Sequence, residues 1–362
     1  MKLTAFKFLT LTASLALMLM SCGEANKSSK KADELPHGII LENMDTSVNP
    51  KDDFYNYVNG NWMKNTKIPE DRTIWGGFSV LRKSTDSDVL EILAKAKNTG
   101  NYASNTDQAK ALFLFDSKLD VDTRNTEGIT PLQPALDAIA GIENLNDLQT
   151  VLMTVPNVSS PFIDFVSFAD LNDSSINAAY VTENGLGLGN RDYYLEMDIK
   201  SVEIRAKYVE YISKMLQFLG DDEISATASA EKILAMETQL AIPRLDKVQS
   251  RDMRNYNNPK SISETQLLIP SLNIKKMMAD KKLKQNVDTL IATQPKFIST
   301  LNSFLTEHTI DDLKTLLRWD TFVSSAGRLT EEIEVANWEF YSNYLRDAKE
   351  MRPAKERALA VV

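Results

Sequence analysis

Cysteine and histidine are almost missing from this sequence: its 362 residues hold one cysteine and two histidines. A single cysteine excludes a disulfide framework within the molecule. So few thiols and imidazoles also nearly exclude a zinc site made of Cys and His, and count against a Cys-His catalytic pair. Long apolar runs are scarce as well. Apart from the stretch 8–20, no segment approaches the roughly 20 apolar residues that a membrane-spanning helix needs. Positive charge is not in excess either. The 41 basic residues are outnumbered by 50 acidic ones, for a formal charge of -9, which argues against a phosphate-binding face for nucleic acid. The sequence contains no P-loop, Gly-x-Ser-x-Gly or His-Glu-x-x-His string and no internal repeat. What it does contain is ordinary for a globular protein: 43% hydrophobic and 25% charged residues, with enough length to bury a core. Carboxylates are plentiful, so acid–base chemistry of Asp and Glu stays open.

The first residues read as an address. Residues 1–21 carry Lys2 and Lys7 and then the uncharged, mostly apolar run 8–20, the pattern of a secretory signal peptide. The cysteine follows at once, in Leu19-Met20-Ser21-Cys22-Gly23. This string resembles the bacterial lipobox, in which cleavage before the cysteine exposes it for acylation. Cys22 is therefore the candidate lipidation site, and the expected location is the bacterial cell envelope, held to a membrane by that lipid. A signal peptide that merely contains a cysteine is the plainer alternative. Residues 22–42 are polar, include Lys27, Lys30 and Lys31, and read as a flexible tether. His37 falls in this tether and reads as a solvated loop residue.

The body, 43–362, reads as mainly α with a minor β element. Apolar residues recur at spacings of three and four in 106–119, 205–220, 228–240 and 311–329. In 205–220 the stripe is Tyr208, Tyr211, Ile212, Met215, Leu216 and Leu219, and Gly220 is a natural stop. Residues 162–168 and 178–182 suit a hairpin or strand pair. Gly185-Leu186-Gly187-Leu188-Gly189 lacks the spacing of a dinucleotide fingerprint and reads as a tight turn. His308 reads as the junction between two helices.

One segment is more distinctive. Met44-Asp45 is followed by Pro50-Lys51-Asp52-Asp53-Phe54-Tyr55-Asn56-Tyr57-Val58-Asn59-Gly60-Asn61-Trp62, then Ile68-Pro69, then Trp75-Gly76-Gly77-Phe78-Ser79-Val80-Leu81-Arg82. Local chemistry predicts a short helix capped by Asp52, with Phe54, Tyr57 and Val58 facing inward. Asn59-Gly60 is expected to end it in a left-handed turn, with Trp62 and Ile68-Pro69 packed against it. The complete string resembles the N-terminal signature of the neprilysin-like (M13) zinc metallopeptidases. The resemblance continues through Gly128 with Pro131-Leu132, Gly185 to Leu188 with Arg191-Asp192-Tyr193-Tyr194-Leu195, and Glu237 to Ala241. It then takes in Arg251-Asp252, Tyr256-Asn257, Trp319 and 340–357. One departure is Pro353-Ala354-Lys355-Glu356-Arg357, where the family usually has Pro-Arg-Trp-Lys-Arg.

The resemblance implies a two-lobed, largely helical peptidase acting on peptides, in which a helical lobe closes over a cleft. In the family, zinc sits on His-Glu-x-x-His plus a downstream Glu in a catalytic lobe. It further implies a cleft-side segment at 43–85, a helical lobe at 86–345 and a return toward the catalytic lobe at 346–362. The chain reaches Val362 without the zinc motif, and neither His37 nor His308 belongs to one. The expectation is therefore that the catalytic lobe is largely missing, that no catalytic residue and no metal site lie in this chain, and that it binds no zinc alone. Arg82 matches the family arginine that pairs with a substrate carboxylate on the primed side, so it is the candidate substrate-binding residue. A second family arginine aligns with Ile74, and Arg72 could replace it only if the loop shifts. Three readings follow: the N-terminal part of a truncated peptidase, a separately encoded helical subunit that pairs with a catalytic chain, or a non-enzymatic peptide-binding lipoprotein. The first two expect apolar faces that the catalytic half would cover. Peptides, a membrane reached through Cys22 and the missing half are the expected partners, and nucleic acid is not.

Overall fold

The computed structural model describes residues 38–283 and 287–362. The expected signal peptide, Cys22, His37 and most of the expected tether lie outside the described residues. The chain divides into two compact units at the Ile68/Pro69 boundary.

The first unit is built on α1 (Phe54–Asn65). Its cap is Asp53, not Asp52: the Asp53 carboxylate accepts a 2.9 Å hydrogen bond from the Asn56 amide. Asp52 instead takes a bond from the Asn49 side chain. Phe54 is exposed, while Tyr57, Val58 and Trp62 are half-buried. Ile68 also remains exposed. Asn59-Gly60 does not end the helix, which runs one turn further. Gly60 is needed there for space, because a Cβ on it would come within 2.7 Å of Asp45 Cβ. Asp45 is thereby drawn against the helix and held by Lys64 at 2.5 Å and by Ser47.

The second unit opens with α2 (Gly77–Thr99), α3 (Asp107–Leu119), α4 (Val121–Glu127), α5 (Gln133–Ala140) and α6 (Leu145–Thr154). A hairpin follows, β1 (Ile163–Ala169) and β2 (Asn177–Glu183), paired antiparallel with Phe165 opposite Val181. Next come α7 (Arg191–Leu195), α8 (Ile199–Gln217) and α9 (Glu223–Ala241). Two short strands, β3 (Pro259–Ser261) and β4 (Thr289–Ala292), bracket α10 (Ile262–Leu268) and α11 (Ile274–Asp280). Then α12 (Pro295–Glu307), α13 (Ile310–Ser325), α14 (Glu331–Trp338) and α15 (Ala354–Leu359) complete it. The sheet order is β1-β2-β4-β3, with β2 and β4 parallel.

Capping chemistry sets most of these helix starts. Thr106, Asp120, Asn144, Asp198 and Asp222 each accept an amide of the first turn, and Thr309 forms a capping box with Asp312. Gly220, at φ +93°, follows α8 in the left-handed region that suits glycine. The predicted stripe of α8 is buried: Tyr208, Tyr211, Ile212, Met215 and Leu216 all face the core. Trp319 on α13 is fully buried with them, and the Tyr211 ring stacks on Phe340 at 4.6 Å. His308 caps the end of α12 just before α13 begins, hydrogen-bonded to Gln239 at 2.8 Å.

One carboxylate ties distant helices together. Glu334 on α14 receives Lys118 of α3 at 2.6 Å, Arg124 of α4 at 2.7 Å and Arg357 of α15 at 2.9 Å. Lys118 also donates to the Gly327 carbonyl, and Arg124 to the Leu329 carbonyl at 2.8 Å. Burial works to raise the Glu334 carboxyl, but the Lys118 and Arg124 hydrogen bonds outweigh it and hold the group below its ordinary range. Removing Glu334 would strand three cations, two of them buried. Glu334→Gln should therefore lower the unfolding free energy by about 3 kcal/mol, read as a fall in the urea midpoint. Glu91→Gln, which breaks an exposed pair with Lys95, should leave the midpoint in place. Equal midpoints for Glu334→Gln and wild type would contradict this account of the cluster.

Candidate functional site

The Gly-Leu-Gly-Leu turn after β2 is fastened from below. Leu186 and Leu188 are buried, and the Leu188 amide donates to the Tyr194 hydroxyl at 2.8 Å. Tyr194 donates to Glu237 at 2.8 Å, and Tyr208 donates to the other Glu237 oxygen at 3.2 Å. Trp319 Nε1 in turn donates to the Tyr208 hydroxyl at 3.3 Å. Gly187 is required by this network, since a Cβ on it would fall 1.7 Å from the Tyr208 hydroxyl oxygen. Arg244 closes the far side by donating to the carbonyls of Asn184 at 2.6 Å and Pro161 at 3.1 Å. The turn is tight, as expected, and is also locked to two tyrosines and a fully buried carboxyl.

Above this turn lies a cavity of about 770 Å³. Its wall combines the turn itself (Asn184, Gly185 and Gly187) with Ser159, Asp164, Lys281, Asp320, Asn337, Tyr341 and Arg346. Tyr341 belongs to a π-helical stretch, Glu339–Tyr344, that follows α14. Asp164 and Lys281 pair at 2.9 Å. Burial pushes the Asp320 carboxyl up to about 6, against one hydrogen bond from Ser159. Burial also pushes Glu237 up to about 7. The nearby Asp320 charge adds to the rise, while bonds from Tyr194, Tyr208 and the Gly187 amide oppose it.

The residues singled out in the sequence are scattered by comparison. Arg82 lies on α2 with its side chain 71% exposed and Asp86 3.8 Å away. It is solvated and available. Arg72 is not: it pairs with Asp71 at 2.9 Å and with Glu356. The pair with Glu356 also gives a local reason for the departure from the family's Pro-Arg-Trp-Lys-Arg, since an acid at 356 meets an arginine at 72. Ile74 is exposed. Among the described residues, no three His, Cys, Asp or Glu side chains are placed to hold a metal ion, so these residues do not fit a catalytic zinc. No described helix is long and apolar enough to cross a membrane. Neither Glu237, inside the periodic run 228–240, nor Asp320 is among the site residues expected from the sequence. For Glu237 a signal was available, an acid among the apolar positions of 228–240, where carboxylates are rare.

Residues 50–362 match the family described as Peptidase family M13. Endothelin-converting enzyme 1 of Rattus norvegicus is 29% identical over 244 residues, covering 65% of this chain and 31% of that protein. Neprilysin-1 of Trittame loki is 29% identical over 240 residues, covering 63% and 33%. Among solved structures, the Mycobacterium tuberculosis zinc metalloprotease ZMP1 in complex with inhibitor superposes with a TM-score of 0.81 at 26% identity, covering 90% of this chain and 50% of that one. PEPO from Lactobacillus rhamnosis HN001 shares the fold at a TM-score of 0.73 and 19% identity, covering 87% of this chain and 49% of that one. The chain thus spans about a third of the curated relatives it matches and about half of the solved ones.

The raised carboxyls predict how stability varies with pH. Glu237 and Asp320 bind protons more tightly folded than unfolded, so their contribution is fully present below about pH 4 and is lost as pH rises through about 6 to 7. For Glu237 the loss is on the order of 3 kcal/mol. Urea midpoints of the wild type should therefore fall between pH 5 and pH 8, and Glu237→Gln should flatten that fall. An unchanged slope in the variant would exclude Glu237 as its source.

Proposed function

Since this chain belongs to peptidase family M13, we propose that it forms the N-terminal, substrate-gating portion of an exported zinc metallopeptidase that hydrolyses peptides. The observation that carries the reading is the family match over 50–362 together with the mostly helical architecture shared with ZMP1. Zinc chemistry would come from a portion bearing His-Glu-x-x-His, supplied in cis or in trans, because the residues described here do not make a zinc site. This chain's part is then to admit the peptide, orient it and shield it from bulk water. It is inactive alone.

Arg82 would hold the substrate's terminal carboxylate. A solvated guanidinium offers a two-pronged match to a carboxylate, and the loose Asp86 contact leaves that fork free. The family's second arginine has no stand-in, since Arg72 is committed to Asp71 and Glu356. Recognition of a free terminus therefore rests on one arginine. The exposed apolar residues of α2, with Phe78 92%, Leu81 63% and Ile92 61% exposed, favour a further portion that covers them. That supports a peptidase lobe or a separately encoded helical subunit over a free-standing peptide-binding lipoprotein. Acylation at Cys22 would hold the assembly to a membrane of the bacterial cell envelope.

In the protein joined to its zinc-bearing portion, Arg82→Ala should raise KM about fivefold for a short quenched peptide with a free carboxyl end, with kcat little changed. The same peptide with an amidated end should respond less. An unchanged KM would remove Arg82 from the site, and absence of any cleavage by the joined protein would remove the peptidase reading.

A further inference from the structure

The cavity above the Gly-Leu-Gly-Leu turn holds one acid that nothing balances. Of its two carboxylates, Asp164 is paired with Lys281 at 2.9 Å. Asp320 is half-buried on α13, one residue after the fully buried Trp319, and the neutral Ser159 side chain opposes the effect of burial on its carboxyl only in part. None of the ion pairs among the described residues includes Asp320, and Arg346, which lines the same cavity, is exposed. A carboxylate withdrawn from water without a counter-charge is costly, and burial accordingly pushes this one up to about 6. A cation entering the cavity would remove that cost.

The lining says which cation. A divalent metal favours several anionic ligands converging, and among the described residues no three His, Cys, Asp or Glu side chains are grouped to supply them. A compact ammonium needs one anion and neutral acceptors for its remaining protons. Those acceptors are at hand. The Ser159 hydroxyl keeps its lone pairs, and the Asn184 side chain donates its Nδ2 to the Ser160 carbonyl at 3.0 Å, which leaves its amide oxygen to accept. Apolar walls from Leu152, Val158 and Val323 suit the carbon chain that would carry the charge. The volume, about 770 Å³, is that of a site for a small ligand or a few residues of peptide.

We propose that this cavity is a subsite for an alkylammonium group of a peptide, its amino terminus or a lysine side chain, with Asp320 as the counter-ion and Ser159 and Asn184 as acceptors. The proposal rests on the reading of the chain as peptide-binding, but needs neither zinc nor cleavage. The turn matters because Asn184, which lines the cavity with Asp320, begins it and is held by Ser160 and Arg244. Its fastening through Gly187, Tyr208 and Glu237 is what gives the subsite a rigid wall.

The test is calorimetric titration of the full chain with three probes: tetra-alanine, N-acetyl tetra-alanine, and an N-acetylated peptide of the same length with one internal lysine. At least one of the two amine-bearing probes should bind tenfold or more tighter than acetylated tetra-alanine, and which one does so identifies the source of the ammonium. Asp320→Asn should abolish that preference, whereas Asp164→Asn, which changes the acid already paired in the same cavity, should keep it. If Asp320→Asn does not fold, Asn184→Ala should reduce the preference severalfold. Equal binding of all three probes, or a preference that survives Asp320→Asn, would overturn the proposal. Because the readout is binding, failure here leaves the peptidase reading standing, and failure to cleave leaves this one standing.

Discussion

The second unit depends on a single buried carboxylate that three cations cannot do without. Glu334 joins α3, α4, α14 and α15, and its partners run from Lys118 to Arg357 along the chain. Ionic contacts of this kind add little to net stability when compared with a well-packed apolar core, but they are unforgiving of partial loss. Their effect is to specify an arrangement. With Lys118 and Arg124 also donating to the carbonyls that follow α13, the ends of several helices are fixed in one geometry. Apolar packing around Trp319, Tyr211 and Phe340 then fills the space so defined.

A second buried carboxyl works differently. Among the described residues no cation is paired with Glu237; the phenols of Tyr194 and Tyr208 donate to it instead. That network explains why the turn between β2 and α7 has glycine where a tyrosine hydroxyl must come close, and tyrosine where a buried acid needs a donor. The turn in turn forms one wall of the cavity that Asp320 faces. Scaffold and candidate subsite are thus continuous, with Tyr208 on α8 and Trp319 on α13 linking them.

Much of this was legible in the amino-acid pattern, and the failures have definite physical reasons. The helices with long apolar stripes and threonine or aspartate caps stand where periodicity puts them, and the hairpin of β1 and β2 is where two short runs suggested it. Strands β3 and β4 were missed because three or four residues are too few to show alternation. Asn59-Gly60 looked like a helix stop, yet its glycine is there to let Asp45 approach, a contact between residues far apart in sequence. Asp320 was invisible for a similar reason: beside a buried tryptophan on a helix, an acid reads as the start of a solvated face until the fold shows a cavity there. Arg82 came from resemblance alone, and its exposure on α2 is compatible with that role without deriving it.

Family and composition meet at one point. The chain belongs to a family of zinc peptidases, yet its residues provide no zinc site among those described, and its proposed role is to receive and position a peptide. The most direct measurement is the zinc content of the purified full chain, taken alongside cleavage of a quenched peptide. The account predicts far less than one zinc per chain and no turnover. Stoichiometric zinc together with turnover would contradict it.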